Sequence, residues 1–125
     1  MSGAVAGEAR QARVVIVGAG PGGAATALLL ARAGVGVTLV EREIGFDRVF
    51  RGEGLMPSGV DALFEMGLRD LLGSIPSRKL ESWDIYIDGE EIFSVPEPME
   101  ELGDRAVRVI PQPEFLSRLV AEAAR

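Results

Sequence analysis

An α/β fold built on a parallel sheet is predicted by three observations in the first third of the chain. Arg13 to Val17 (RVVIV) is a short apolar run of the kind that forms a buried strand. A glycine-rich stretch, Gly18-Ala19-Gly20-Pro21-Gly22-Gly23, follows without a spacer and leads into a helical segment, Ala24 to Ala33. Val37 to Val40 then reads as a second strand and ends on an acid, Glu41. Strand, helix and strand in this order make a βαβ unit, and the glycines with the terminal acid make it the dinucleotide-binding fingerprint.

Each residue type in the fingerprint has its own physical task. Gly18 turns the chain tightly out of the strand, Gly20 lets a pyrophosphate lie against the backbone, and Gly23 lets the helix approach the sheet. Pro21 falls in the first helical turn, where a missing N–H costs nothing. The free N–H groups and positive dipole end of the helix face the anion. Alanines at 24, 25 and 27 keep the helix slim, Leu28, Leu29 and Leu30 are expected to pack on the sheet, and Gly34 stops the helix. Glu41 lies 18 residues beyond Gly23, near the separation of about 20 that places an acid against an adenosine ribose. An acid there repels a 2′-phosphate, which disfavours NADP at this site.

Composition sets the outer limits. At 125 residues, with 47% hydrophobic and 26% charged side chains, the chain suits one globular domain with its own core. The net charge of −6 and the lack of a basic patch point away from nucleic acid. There is no cysteine and no histidine, so disulfides, Cys/His metal sites, Ser-His-Asp chemistry and flavin attachment through Cys or His are excluded within these residues. No apolar run approaches the ~18–20 residues of a membrane span. Residues 1–12 (MSGAVAGEARQA) lack the pattern of a signal peptide and are expected to be a disordered lead, with a cytoplasmic location by default.

Beyond Glu41, Arg42 to Met56 (REIGFDRVFRGEGLM) reads as a long loop carrying Arg42, Arg48 and Arg51. Pro57-Ser58 opens a helix, with Ser58 as expected N-cap, Asp61 as its capping-box partner and Gly67 as the stop. A short turn over Leu68 to Leu72 precedes Gly73, Ser74 and Pro76. From Ser82 the period changes to two: Trp83, Ile85 and Ile87 fall on one face, Asp88-Gly89 is a hairpin turn, and Ile92 to Val95 returns. Pro96 to Glu101 reads as a loop, Ala106 to Ile110 as a strand, and Glu114 onward as a helix bearing Phe115, Leu116, Leu119 and Val120.

On Val14-to-Gly23, the strand end Leu39-Val40-Glu41-Arg42, the Arg51-to-Leu68 segment and Val109-to-Leu119, the chain resembles the N-terminal part of FAD-dependent monooxygenases of the p-hydroxybenzoate hydroxylase type. That group shades into flavin halogenases and geranylgeranyl reductases. The resemblance implies a Rossmann-like FAD/NAD(P)-binding domain, incomplete, over 13–125, with 82–105 as a hairpin insertion that starts a β-rich substrate domain. It implies non-covalent FAD, its pyrophosphate on Gly18, Gly20 and Gly23 and its ribose on Glu41. Arg42 would lie along the adenine, Arg51 would approach the pyrophosphate or ribityl chain, and Gln112 would head a helix beside the cofactor. NAD(P)H would be the transient reductant, dioxygen the oxidant, and a small organic, often aromatic, molecule the substrate. No catalytic residue is identified and no metal is expected.

Family members continue with a further Asp-Gly fingerprint, a Gly-Asp motif for the ribityl chain and most of the substrate sheet. The chain is therefore expected to be an N-terminal fragment or truncated product, inactive alone. Competing expectations are a reductase-like or halogenase-like oxidoreductase on the same fold, and a nonenzymatic nucleotide-binding remnant. An NAD-binding dehydrogenase shares the fingerprint but not the Arg51-to-Leu68 or Val109-to-Leu119 segments.

Overall fold

The computed structural model describes residues 13–46 and 53–125. The expected lead 1–12, Arg48 and Arg51 lie outside the described residues. The chain divides into two compact units, Met1–Ile44 with Leu119–Arg125, and Gly45–Arg118.

The first unit is built on the βαβ segment. Strand β1 (Val14–Val17), helix α1 (Pro21–Arg32) and strand β2 (Val37–Val40) follow one another, and the strands pair in parallel from Val14 opposite Val37 to Val17 opposite Val40. α1 starts as its sequence dictates, with Gly20 as extended N-cap and Pro21 at the first helical position. It ends at Arg32, and Gly34 beyond it takes a φ of +74°. Ala24, Ala27 and Leu28 are buried, whereas Leu29 is 49% exposed. The three leucines expected on the sheet therefore do not all reach it: successive helical residues are ~100° apart, so only one of a consecutive trio points squarely inward. β1 likewise alternates, with Val15 and Val17 exposed on one face. The final residues of the chain add the buried Leu119 and an ion pair between Glu122 and Arg32 at 3.3 Å.

The second unit holds strand β3 (Gly54–Leu55), helices α2 (Pro57–Glu65) and α3 (Arg69–Gly73), and strands β4 (Arg78–Lys79), β5 (Ser82–Ile87) and β6 (Glu90–Pro96). Helix α4 (Met99–Leu102), a 3₁₀ turn (Gly103–Arg105), strand β7 (Arg108–Val109) and the start of helix α5 (Gln112–Ala123) complete it. β7 lies between β3 and β4, antiparallel to both. Buried side chains here include Val60, Leu63, Leu68, Leu72, Val107 and Leu116.

Several local expectations change in this unit. Gly54-Leu55 is a strand rather than loop, because its partner β7 is more than fifty residues away and leaves no local trace. α2 is not capped by Ser58. Met56 is the N-cap, Pro57 takes the first helical position and no side chain caps the helix. Asp61 instead makes a two-pronged pair with Arg105, whose hydrogen bonds hold its carboxyl below the usual range. The Pro96-to-Glu101 loop contains the short α4, the strand Ala106 to Ile110 contracts to Arg108–Val109 between buried neighbours, and α5 starts two residues early, at Gln112.

The hairpin forms as expected. Asp88 and Gly89 have φ of +50° and +84°, the pair of positive values that a tight primed turn needs. Trp83 opposes Val95 and Ile85 opposes Phe93, but a bulge between Ile85 and Tyr86 shifts the register, so the regular alternation through Ile87 is broken. Next to these pairs in sequence, Asp84 accepts hydrogen bonds from Ser94 and Ser82, which lower its pKa. Trp83 and Tyr86 are exposed and donate to Glu97 and Glu91.

Candidate functional site

The candidate site lies within the first unit, where β1 gives way to α1 and β2 ends. Gly18 leaves the strand at φ +98°, a conformation that a side chain resists, and its N–H donates to Val40 O at 2.7 Å. Ala19 is buried and its N–H donates to Glu41 Oε2 at 2.8 Å. Gly20 and Pro21 then carry the chain into α1.

The glycines divide by what surrounds them. A Cβ added at Gly23 would lie 1.9 Å from Gly18 O and 3.1 Å from Gly18 C, so the helix can approach the strand only without one. At Gly20 and Gly22 an added Cβ meets nothing within 4 Å. The packing therefore needs Gly23 bare and leaves open space beside Gly20 and Gly22. The N–H groups of Gly22 and Gly23 belong to the first turn, where the helix supplies no acceptors, and no side chain caps them. The first turn carries no acid, so the positive end of the helix dipole faces that space without a local counter-charge on α1.

Glu41 follows β2 directly, and both carboxylate oxygens are engaged: Oε2 with Ala19 N–H, and Oε1 with Glu43 N–H at 3.1 Å. The sequence spacing put the acid at the end of the second strand but gave no sign of its bond to the glycine turn. That contact depends on parallel register, which pairs Val17 with Val40 and so sets Glu41 beside the turn. Arg42 is highly exposed and pairs with Glu43 at 3.2 Å. Gln112 opens α5 in the second unit, Arg51 is outside the described residues, and Gly18, Gly20, Pro21, Gly22, Gly23 and Glu41 are the expected site residues brought together here.

Open glycines at an uncapped helix start, with an acid at the next strand end, define a dinucleotide-binding βαβ unit, and they fit the pyrophosphate and ribose of FAD. The chain belongs to the FAD binding domain family, whose pattern it matches over residues 11–125. It is 34% identical over 112 residues to squalene monooxygenase SE2 of Panax ginseng, covering 89% of this chain and 20% of that protein. Among solved structures it resembles p-nitrophenol 4-monooxygenase PnpA of Pseudomonas putida DLL-E4, with a TM-score of 0.68, 28% identity, 90% of this chain and 29% of that one. It also resembles aklavinone-11 hydroxylase, solved with FAD and aklavinone, with a TM-score of 0.71, 27% identity, 94% of this chain and 24% of that one. The chain thus spans about a fifth of the curated relative's length. Among the described residues no helix is long and apolar enough to cross a membrane, and no group of side chains is arranged to hold a metal.

Proposed function

We propose that this chain binds FAD non-covalently as the cofactor-binding part of a flavin-dependent monooxygenase. The observation that carries the reading is the open space at Gly20 and Gly22 beside the uncapped start of α1. Gly18 and Pro21 set the turn, Gly20, Gly22 and Gly23 present backbone N–H groups to the pyrophosphate, and Glu41 accepts from the adenosine ribose. By resemblance Arg42, exposed beside the acid, would lie along the adenine. Arg51, likewise by resemblance, would approach the pyrophosphate or ribityl chain, and Gln112 would head a helix beside the cofactor. FAD, when bound, supplies the redox and dioxygen chemistry that no side chain provides.

The wider activity is part of the same proposal: reduction by NAD(P)H and oxygen insertion into a small organic, possibly aromatic, substrate. The monooxygenase names of PnpA and of the ginseng relative support it. Residues 82–105 would begin the substrate-binding part. The partners proposed are FAD and that substrate, with no nucleic acid, in the cytoplasm.

The test is an FAD titration of the purified chain beside Gly20→Val. Saturable binding that the valine abolishes is expected, because the added side chain enters the space assigned to the pyrophosphate from a Cβ that meets no protein atom within 4 Å. Equal binding by both proteins, or none by the wild type, would overturn the reading.

A further inference from the structure

We infer that Glu41 has a second task besides meeting the ribose: it fastens the glycine turn in place before any ligand arrives. β2 ends at Val40, and its last carbonyl takes the Gly18 N–H. The next donor along the turn is the N–H of Ala19, a residue only 2% exposed. A buried N–H without an acceptor is costly. Beyond the strand end the side chain of Glu41 supplies that acceptor, so its carboxylate extends the inter-strand ladder by one bond past the last backbone rung.

The second oxygen fixes the orientation of the first. Oε1 takes the Glu43 N–H, which ties the carboxylate to the segment leaving β2, so the same group is held from both sides of the strand end. A carboxylate satisfies both donors because it is acceptor on both atoms. A glutamine turns its NH₂ toward one of the two N–H groups, and an alanine serves neither. The bond to Ala19 anchors the Gly18–Ala19 peptide, directly before Gly20 and its open space. A carboxylate has about four acceptor sites, so two backbone bonds and ribose hydroxyls are compatible. The consequence for the cofactor rests on the FAD reading above: loss of Glu41 would remove a ribose partner and also loosen the turn.

The test is amide hydrogen exchange by NMR on the ligand-free chain, comparing wild type, Glu41→Gln and Glu41→Ala. Exchange at Ala19 is expected to be slow in the wild type and about tenfold or more faster in the alanine variant, with glutamine between, as befits a charge-assisted hydrogen bond. Gly18, held by Val40 O, and Leu28, inside α1, should keep their rates and so report that the fold is intact. Rapid exchange at Ala19 in the wild type would overturn the inference even if the alanine variant does not fold. So would an unchanged Ala19 rate in the variants, or a uniform rise at Ala19, Gly18 and Leu28. FAD is added only afterwards. A protected Ala19 in a chain that ignores FAD would sink the cofactor reading and leave the fastening role standing, whereas FAD binding with an unprotected Ala19 would do the reverse.

Discussion

Two glycines of one motif should fail in opposite ways when given a methyl group. At Gly23 the new Cβ would stand 1.9 Å from Gly18 O and 3.5 Å from Ile16 Cγ2. The first neighbour is backbone, already committed to the positive-φ turn, so the helix must move off the strand. Overpacking of this kind costs about 1–3 kcal/mol, and a backbone obstacle puts Gly23→Ala at the upper end, about 3 kcal/mol. Alanine returns at most about 1 kcal/mol of helix propensity, leaving a net loss of about 2 kcal/mol. For a chain of 125 residues that lowers Tm by roughly 6–10 °C. Gly20→Ala has neither penalty, since the backbone there has φ −67° and the Cβ meets nothing within 4 Å. Its Tm should stay within about 2 °C of wild type, a surface-like change, while FAD affinity falls. Thermal melts without FAD, followed by circular dichroism, decide the matter. Equal melting of Gly23→Ala and wild type, or equal losses in the two variants, would refute the division of roles.

Two further outcomes follow from the second unit. The Asp61 carboxyl is depressed by Arg105, so the pair's stabilisation is complete above the ordinary carboxylate range near pH ~3.9 and is lost as pH falls through the lower native value. The Tm gap between wild type and Asp61→Asn should therefore be widest near neutrality and close in acid; a gap independent of pH would rule out this assignment. On the hairpin, Trp83, Ile85, Phe93 and Val95 are all 40–50% exposed, a contiguous apolar surface of the kind that promotes association. Phe93→Lys should reduce self-association and dye binding with Tm nearly unchanged, and light scattering that matches wild type would count against the patch.

What the sequence made legible was whatever local chemistry determines. Gly18 to Gly23, Pro21 at the first helical position and the Asp88-Gly89 turn all fall where their backbone preferences place them. Elements decided by distant partners were not legible. Gly54-Leu55 becomes a strand only because β7 pairs with it, and Asp61 leaves its expected capping role because Arg105, 44 residues on, offers a charge-assisted pair. At the site, spacing located Glu41 but not its bond to Ala19, which needs the register of β1 against β2 as well as the motif. Arg42 and Gln112 show a different limit: only the family resemblance assigns them to a cofactor, while in the fold Arg42 pairs with its neighbour Glu43 and Gln112 opens α5.

The glycines also separate what the fold requires from what a ligand requires. Gly18 is demanded by its φ and Gly23 by the strand beneath it, so both would be needed in a chain that bound nothing. Gly22 is different. It lies in the first turn of α1, where glycine is a weaker helix former than alanine, and no atom lies within 4 Å of the side chain it lacks. Gly20 has an ordinary extended backbone and the same empty surroundings. Neither absence is explained by packing or by backbone strain. The proposed FAD reading accounts for both, through an anion that would approach the main chain closely at the positive end of α1 and accept from the N–H groups there. Local choices that weaken a fold without a structural return are expected at functional sites. In this chain they coincide with the place where a pyrophosphate would lie.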